Sequence, residues 1–147
     1  MSAFLALRDA AVAALLQAPA IAGGYVKAGR GSPLPAEKTA GVFVRLGRNP
    51  SAAPFVGDER HDWETELIVR LVARAAPGGD GEAAVDALLD QVYARLAAAT
   101  PYANADAWTV APGLAYDVDE LDAALGAAEL RLRIRHRTAS GSLAAAP

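Results

Sequence analysis

The chain has no cysteine, and this removes disulfides and thiolate metal ligands from consideration. It has two histidines, His61 and His136, separated by most of a domain's length in sequence, so zinc chemistry is poorly supplied. Of its fourteen basic residues only Lys27 and Lys38 are lysines. No apolar run approaches the ~18 residues that a membrane-spanning helix requires. Ala10 to Ala22 is largely apolar, but no positive segment precedes it and Arg8 and Asp9 interrupt it, so a secretory leader is not expected. A net charge of −3 argues against a protein whose main work is to coat nucleic acid.

What is present is a 147-residue chain, long enough for one domain with a real core. Its strongest local signal is Trp63–Arg74, WETELIVRLVAR. Thr65, Leu67, Val69, Leu71 and Ala73 fall on one face and Glu64, Glu66, Arg70 and Arg74 mainly on the other, the period-2 pattern of a half-buried strand. Upstream, Ser2–Gln17 reads as a helix with Ser2 as N-cap and a stop before Pro19. Arg8 lies within its apolar arc, and either snorkels from the core edge or pairs with a carboxylate of a strand or a neighbouring subunit. Tyr25–Ala28 and Val42–Leu46 read as short strands. Residues 29–41 form a loop whose Gly29-Arg30-Gly31-Ser32 lacks the GK[ST] ending of a phosphate loop.

Residues 47–62 read as an unusually long connection carrying Arg48, Pro50, Pro54, Phe55 and Val56. Its apolar pair either folds back on the domain or orders against a partner. Downstream, Asp80 caps a helix expected over Glu82–Ala99, with Val85, Leu88, Leu89, Val92 and Leu96 on its buried stripe. Trp108–Ala111 reads as a strand, and Tyr116–Asp122 as a solvated acidic connector. That connector lacks the glycine and the final glutamate of a calcium loop.

The last strand, Ala128–Arg137, alternates Leu130, Leu132 and Ile134 inward with Arg131, Arg133, Arg135 and Arg137 outward. Successive arginines stand about 6.6 Å apart and repel by only ~0.6 kcal/mol per pair in water, so a solvated stripe is tolerable. A covered stripe needs counter-charges. Antiparallel pairing with the central strand would bring Glu64 and Glu66 near Arg135 and Arg137, and Arg74 near Glu129. The expected fold is α+β: a single mixed or antiparallel sheet of four to five strands with two helices packed on it, over residues 1–138, followed by a flexible tail at 139–147. No nucleophile elbow, clustered histidines or paired carboxylates on one rigid element appear, so neither catalysis nor a cofactor is expected.

The apolar first helix, the strand WETELIVRLVA, the helix AAVDALLDQVYARLAA and the final strand AELRLRIRHRT, in that order over roughly residues 3–138, resemble the bacteriophage tail terminators. These are the ring-forming minor tail proteins of the U type in long-tailed phages and related gene transfer particles. The resemblance implies a virion protein at the head-proximal end of the tail, assembled in the bacterial cytoplasm. It would form a homohexameric ring that caps the tail tube, ends its polymerisation and meets the head–tail connector. A neighbouring connector or head-completion protein of the neck is the alternative. On this resemblance Arg131, Arg133, Arg135 and Arg137, with Asp117, Asp119 and Asp122, become candidates for pairing between subunits, or the arginines for contact with DNA in the lumen. Arg48, Pro50, Phe55 and Val56 become candidates for contact with the tube protein.

Overall fold

The computed structural model describes residues 1–52, 60–99, 109–119 and 122–145. Helix α1 spans Ala3–Leu16, and the Ser2 hydroxyl accepts the Leu5 N–H at 3.4 Å as the cap residue should. A 3-10 turn over Ile21–Gly24 leads into strand β1, Val26–Ala28. Strands β2, Ala40–Leu46, β3, Ser51–Ala52, and β4, His61–Arg74, follow. Helix α2, Gly81–Ala98, opens on Asp80, whose carboxylate accepts the Glu82 N–H at 2.9 Å. Strands β5, Thr109–Asp119, and β6, Asp122–Thr138, complete the described elements.

Five strands lie in the order β1-β2-β4-β6-β5, and the two-residue β3 is appended to β4. Only β1 and β2 run parallel, so the sheet is single and mixed, as the alternation along the sequence anticipated. Because β6 lies antiparallel between β4 and β5, the chain that leaves β4 through α2 returns to a parallel strand with β6 inserted between. Both helices pack on one face of this sheet, α1 over β1 and β2, and α2 over β4 and β6.

Period-2 alternation fixes which side chains face the helices. Thr65, Leu67, Val69, Leu71 and Ala73 of β4 are buried there, joined by Val42 and Val44 of β2 and by Leu130, Leu132 and Ile134 of β6. From above, Leu7, Ala11 and Leu15 of α1 and Val85, Leu88, Leu89, Val92 and Leu96 of α2 complete the cluster. Burying the five aliphatic side chains of α2 contributes roughly 1.5 to 3 kcal/mol each. Helix and strand approach closely at Gly126: a Cβ there would run into the carbonyl of Gly81 at the start of α2, so only glycine permits the approach.

Several expectations are corrected. The second face of β4 is not uniformly polar, since Ile68 and Val72 are 3% and 7% exposed. On one rung Ile68 stands between Arg45 and Arg131, and Leu34 of the 29–39 loop shares a groove with Val72. Residues 47–52 are not an open loop but run along β4. There Gly47 N–H donates to the Glu66 carbonyl at 2.8 Å, and Glu64 N–H to the Pro50 carbonyl at 3.0 Å. The proline-broken sequence of this stretch shows no alternation that would reveal it as an edge.

The acidic stretch is likewise no loose connector, because β5 continues to Asp119 and β6 begins at Asp122. Pairing with β6 overrides the low strand propensity of aspartate. Residues 139–145 follow a turned path beside the start of α1. Ser142 N–H donates to the Ala139 carbonyl at 3.2 Å, Thr138 bridges to Ala145, and the Leu143 carbonyl accepts the N–H of Ala3 at 2.8 Å.

Candidate functional site

With both helices on one side, the other face of the sheet is the broad chemical feature of the molecule. It is built by the odd-numbered residues of β6, which point away from the helices, set beside the even-numbered residues of β4. In register, Glu64 stands opposite Arg135, Glu66 opposite Arg133, Asp62 opposite Arg137 and Arg70 opposite Glu129. The antiparallel pairing is as anticipated, and so is the place of Glu64. The remaining partners slide: Glu66 meets Arg133 and Arg131 rather than Arg137, and Arg74 stands opposite Leu125 rather than Glu129.

The side chains form an ion-pair lattice. Arg131 reaches Glu129 at 2.8 Å and Glu66 at 3.4 Å, Arg133 reaches Glu64 at 3.2 Å, and Arg135 lies 3.9 Å from the same carboxylate. Arg137 grips Asp62 with two nitrogens, Nη2 donating to Oδ2 at 2.9 Å. The hydrogen bond to Glu129, then the charges of Glu129 and Glu66, push the Arg131 guanidinium above the usual arginine range. Of the four outward arginines, Arg135 is the most exposed, at 77%. The arginine heads of these pairs are largely open to solvent, which screens their contribution to stability. Their larger effect is to hold the guanidinium groups in a fixed array.

The acidic residues singled out from the sequence stand elsewhere. Asp117 is exposed on β5 opposite Ala127, and the backbones of Asp119 and Asp122 face each other across the closing rung of the hairpin. The two sets therefore occupy different ends of β6, and within one chain they are not brought together. Arg48 and Pro50 are exposed along β4. The Arg48 N–H donates to the Glu66 carboxylate at 3.2 Å and its carbonyl accepts the Glu66 N–H at 2.9 Å. Phe55 and Val56 lie outside the described residues.

Toward the other end of the face, the 29–34 loop and the strands enclose an open groove of about 820 Å³. Arg30, Arg45 and Arg70 line it with Asp117 and Glu129, over a floor that includes Leu34 and Val72. Arg45 lies 3.7 Å from Glu129, whereas Arg30 and Arg70 are exposed and make no ion pair with the described residues. Sequence reading did not single out this cluster, because its three arginines come from a loop and two different strands.

On the helix side, the two histidines that are distant in sequence come to one end of the sheet, His136 opposite Trp63 and His61 two rungs away opposite Thr138. Phe4 meets the rings of Trp63 and His136 edge-on, both at 5.1 Å. His136 is buried, its Nε2 lies 2.6 Å from the Thr65 hydroxyl, and burial lowers its pKa. No group of three or more His, Cys, Asp or Glu residues converges as a metal site among the described residues. Among the described residues no helix is long and apolar enough to cross a membrane.

Arg95, also not singled out from the sequence, reaches from α2 to the end of α1. Its Nη1 donates to the carbonyls of Ala14 and Gln17 at 3.2 and 2.8 Å, and its Nη2 to that of Pro19 at 3.0 Å.

No family model matches the chain, and no curated protein does. Among solved structures, the fold is similar to that of a chain in the virion of a native gene transfer agent particle. The TM-score is 0.64 and the sequence identity 20%, over 92% of this chain and 98% of that one.

Proposed function

We propose that this chain is a structural protein of a phage-like virion, a tail terminator that acts by binding and not by catalysis. In this reading it forms a homohexameric ring on the head-proximal end of the tail tube, stops further addition of tube protein and offers its upper surface to the head–tail connector. The observation that carries the reading is the match, nearly end to end on both sides, to a chain of a gene transfer agent virion. It joins the pattern resemblance of the two helices and the long alternating strands to tail terminators.

The form of the domain supports the reading. One sheet face is sheltered by helices, while the other is left open and covered with charge, which suits a protein whose partners are other proteins packed around it. On this reading the exposed Arg48–Pro50 segment, held against β4 by its backbone, would be the part that meets the tube. Arg133 and Arg135, the most exposed of the arginine row, would be the residues to meet phosphate if this face lines the lumen.

The test is to add the purified protein to tail-tube protein during polymerisation and image the products by negative stain. Shortened tubes carrying a ring at one end are expected. Tubes of unchanged length, with the protein left unbound, would overturn the reading. The virion neighbour equally fits a connector or head-completion protein of the neck, and rings found on the portals of empty heads instead of on tubes would establish that alternative.

A further inference from the structure

The charge on this molecule is sorted by layer. Among the described side chains, the helix-free face and the loop over it carry seven arginines, Arg30, Arg45, Arg70, Arg131, Arg133, Arg135 and Arg137, against five carboxylates, Asp62, Glu64, Glu66, Asp117 and Glu129. Most of that charge is internally neutralised. The surplus sits in the groove, where Arg30 and Arg70 have no ion-pair partner among the described residues. The opposite layer has the reverse sign. Glu82, Asp86 and Asp90 recur every fourth residue on the exposed side of α2, forming one acidic ridge. The only base on that helix, Arg95, is committed to the carbonyls at the end of α1.

We infer that the acidic ridge of α2 in one copy seats in the Arg30–Arg45–Arg70 groove of the next. This rests on the ring reading and names the surfaces through which the ring would close. The spacing suits the contact: carboxylates four residues apart on a helix lie about 6 Å apart, and diagonal neighbours on adjacent antiparallel strands, as Arg45 and Arg70 are on β2 and β4, about 7 to 8 Å. The shapes suit it as well. The acids are interleaved with exposed Ala83 and Ala87, which let a helix approach closely, and the groove floor offers Leu34 and Val72 to those methyl groups. Ridge and groove lie on opposite layers of one protomer, so the contact is heterologous. It repeats from copy to copy and closes into a ring when the rotation between copies allows.

A charge exchange tests this. The double variant Arg30→Glu/Arg70→Glu reverses the groove, and Asp86→Arg/Asp90→Arg reverses the ridge. All four positions are exposed, and circular dichroism checks that both proteins fold. Tyr116→Phe serves as a control, because it removes the hydrogen bond that Tyr116 donates to Asp86 and leaves the ridge charge intact. Native mass spectrometry and sedimentation are expected to show assembly of the wild type and of Tyr116→Phe, and at least a tenfold loss of assembled species for each double variant alone. An equimolar mixture of the two should recover the assembly, since each reversed surface then finds its complement. Folded double variants that assemble like the wild type, or a mixture that stays monomeric, would overturn the contact and leave the ring reading standing. A wild type that remains monomeric even on tail tubes would overturn both.

Discussion

The Thr65 hydroxyl and His136 Nε2 lie 2.6 Å apart across the β4–β6 ladder, on the buried side of the sheet. His136 Nδ1 is also buried and has no hydrogen-bond partner among the described residues, so an imidazolium there would be poorly solvated. Burial accordingly lowers the His136 pKa below its usual value near 6.5. The neutral ring is the folded form, and the unfolded chain binds the proton more readily. The stability that His136 contributes is therefore complete above the unfolded pKa and is lost as pH falls from about 6.5 through the lower folded value. Urea midpoints measured between pH 7 and pH 5 should decrease toward acid for the wild type. The decrease should be smaller for His136→Gln, although that variant is less stable at pH 7. Equal slopes would count against the assignment.

Gly126 should not accept a side chain. Its neighbour across the gap is backbone at the start of α2, which cannot rotate away as a flexible side chain would. Gly126→Ala is expected to cost about 1 to 3 kcal/mol by forcing strand and helix apart. A denaturation curve indistinguishable from the wild type would show that the layers separate without penalty.

Arg95 ties the end of α1 and the segment after it to α2 through the carbonyls of Ala14, Gln17 and Pro19. Arg95→Ala should lower stability by about 1 to 2 kcal/mol, the range for hydrogen bonds to a partly solvated charge at a helix C-terminus. Arg95→Lys should recover only part of this, because an ammonium lacks the planar fork. Chemical denaturation of both variants would check the order.

Glu66 is 15% exposed and serves two masters, accepting the Arg48 N–H with one oxygen and meeting Arg131 with the other. Glu66→Ala is expected to cost about 1 kcal/mol overall. The more telling effect is local: the Arg48 amide should lose much of its protection against hydrogen exchange while the amides of β4 near Val69 keep theirs. Unchanged protection at Arg48 would mean that the backbone bonds alone hold this segment.

Much of the fold was legible because three elements carry strong periodicity. In β4 and β6 the alternation gave the sheet faces, and in α2 the spacing Val85, Leu88, Leu89, Val92, Leu96 named side chains that are all buried. The outward row of arginines on β6 followed from the same rule. Elements that depend on a partner strand were not legible. The segment from Gly47 to Ala52 and the acid-rich half of β5 have little intrinsic strand character and are held by bonds to β4 and β6. The sliding of Glu66 toward Arg131 has a similar origin, because register is fixed by pairing along the whole ladder and by the turns at its ends. The groove was hidden for a further reason. Arg30, Arg45 and Arg70 are spread along the sequence, and only the folding of the 29–34 loop onto Phe43 and Arg70 assembles them.

The place of β6 between β4 and β5 bears on how the protein is made. β6 follows the other described strands in the chain and links β5 to the rest of the sheet, with Leu130, Leu132 and Ile134 on its buried side. Without β6, β5 has no pairing partner among the described strands, and one edge of β4 stays open. Completion of the sheet is therefore a late event, and a fragment that stops short of Ala128 is expected to leave the edges of β4 and β5 bare.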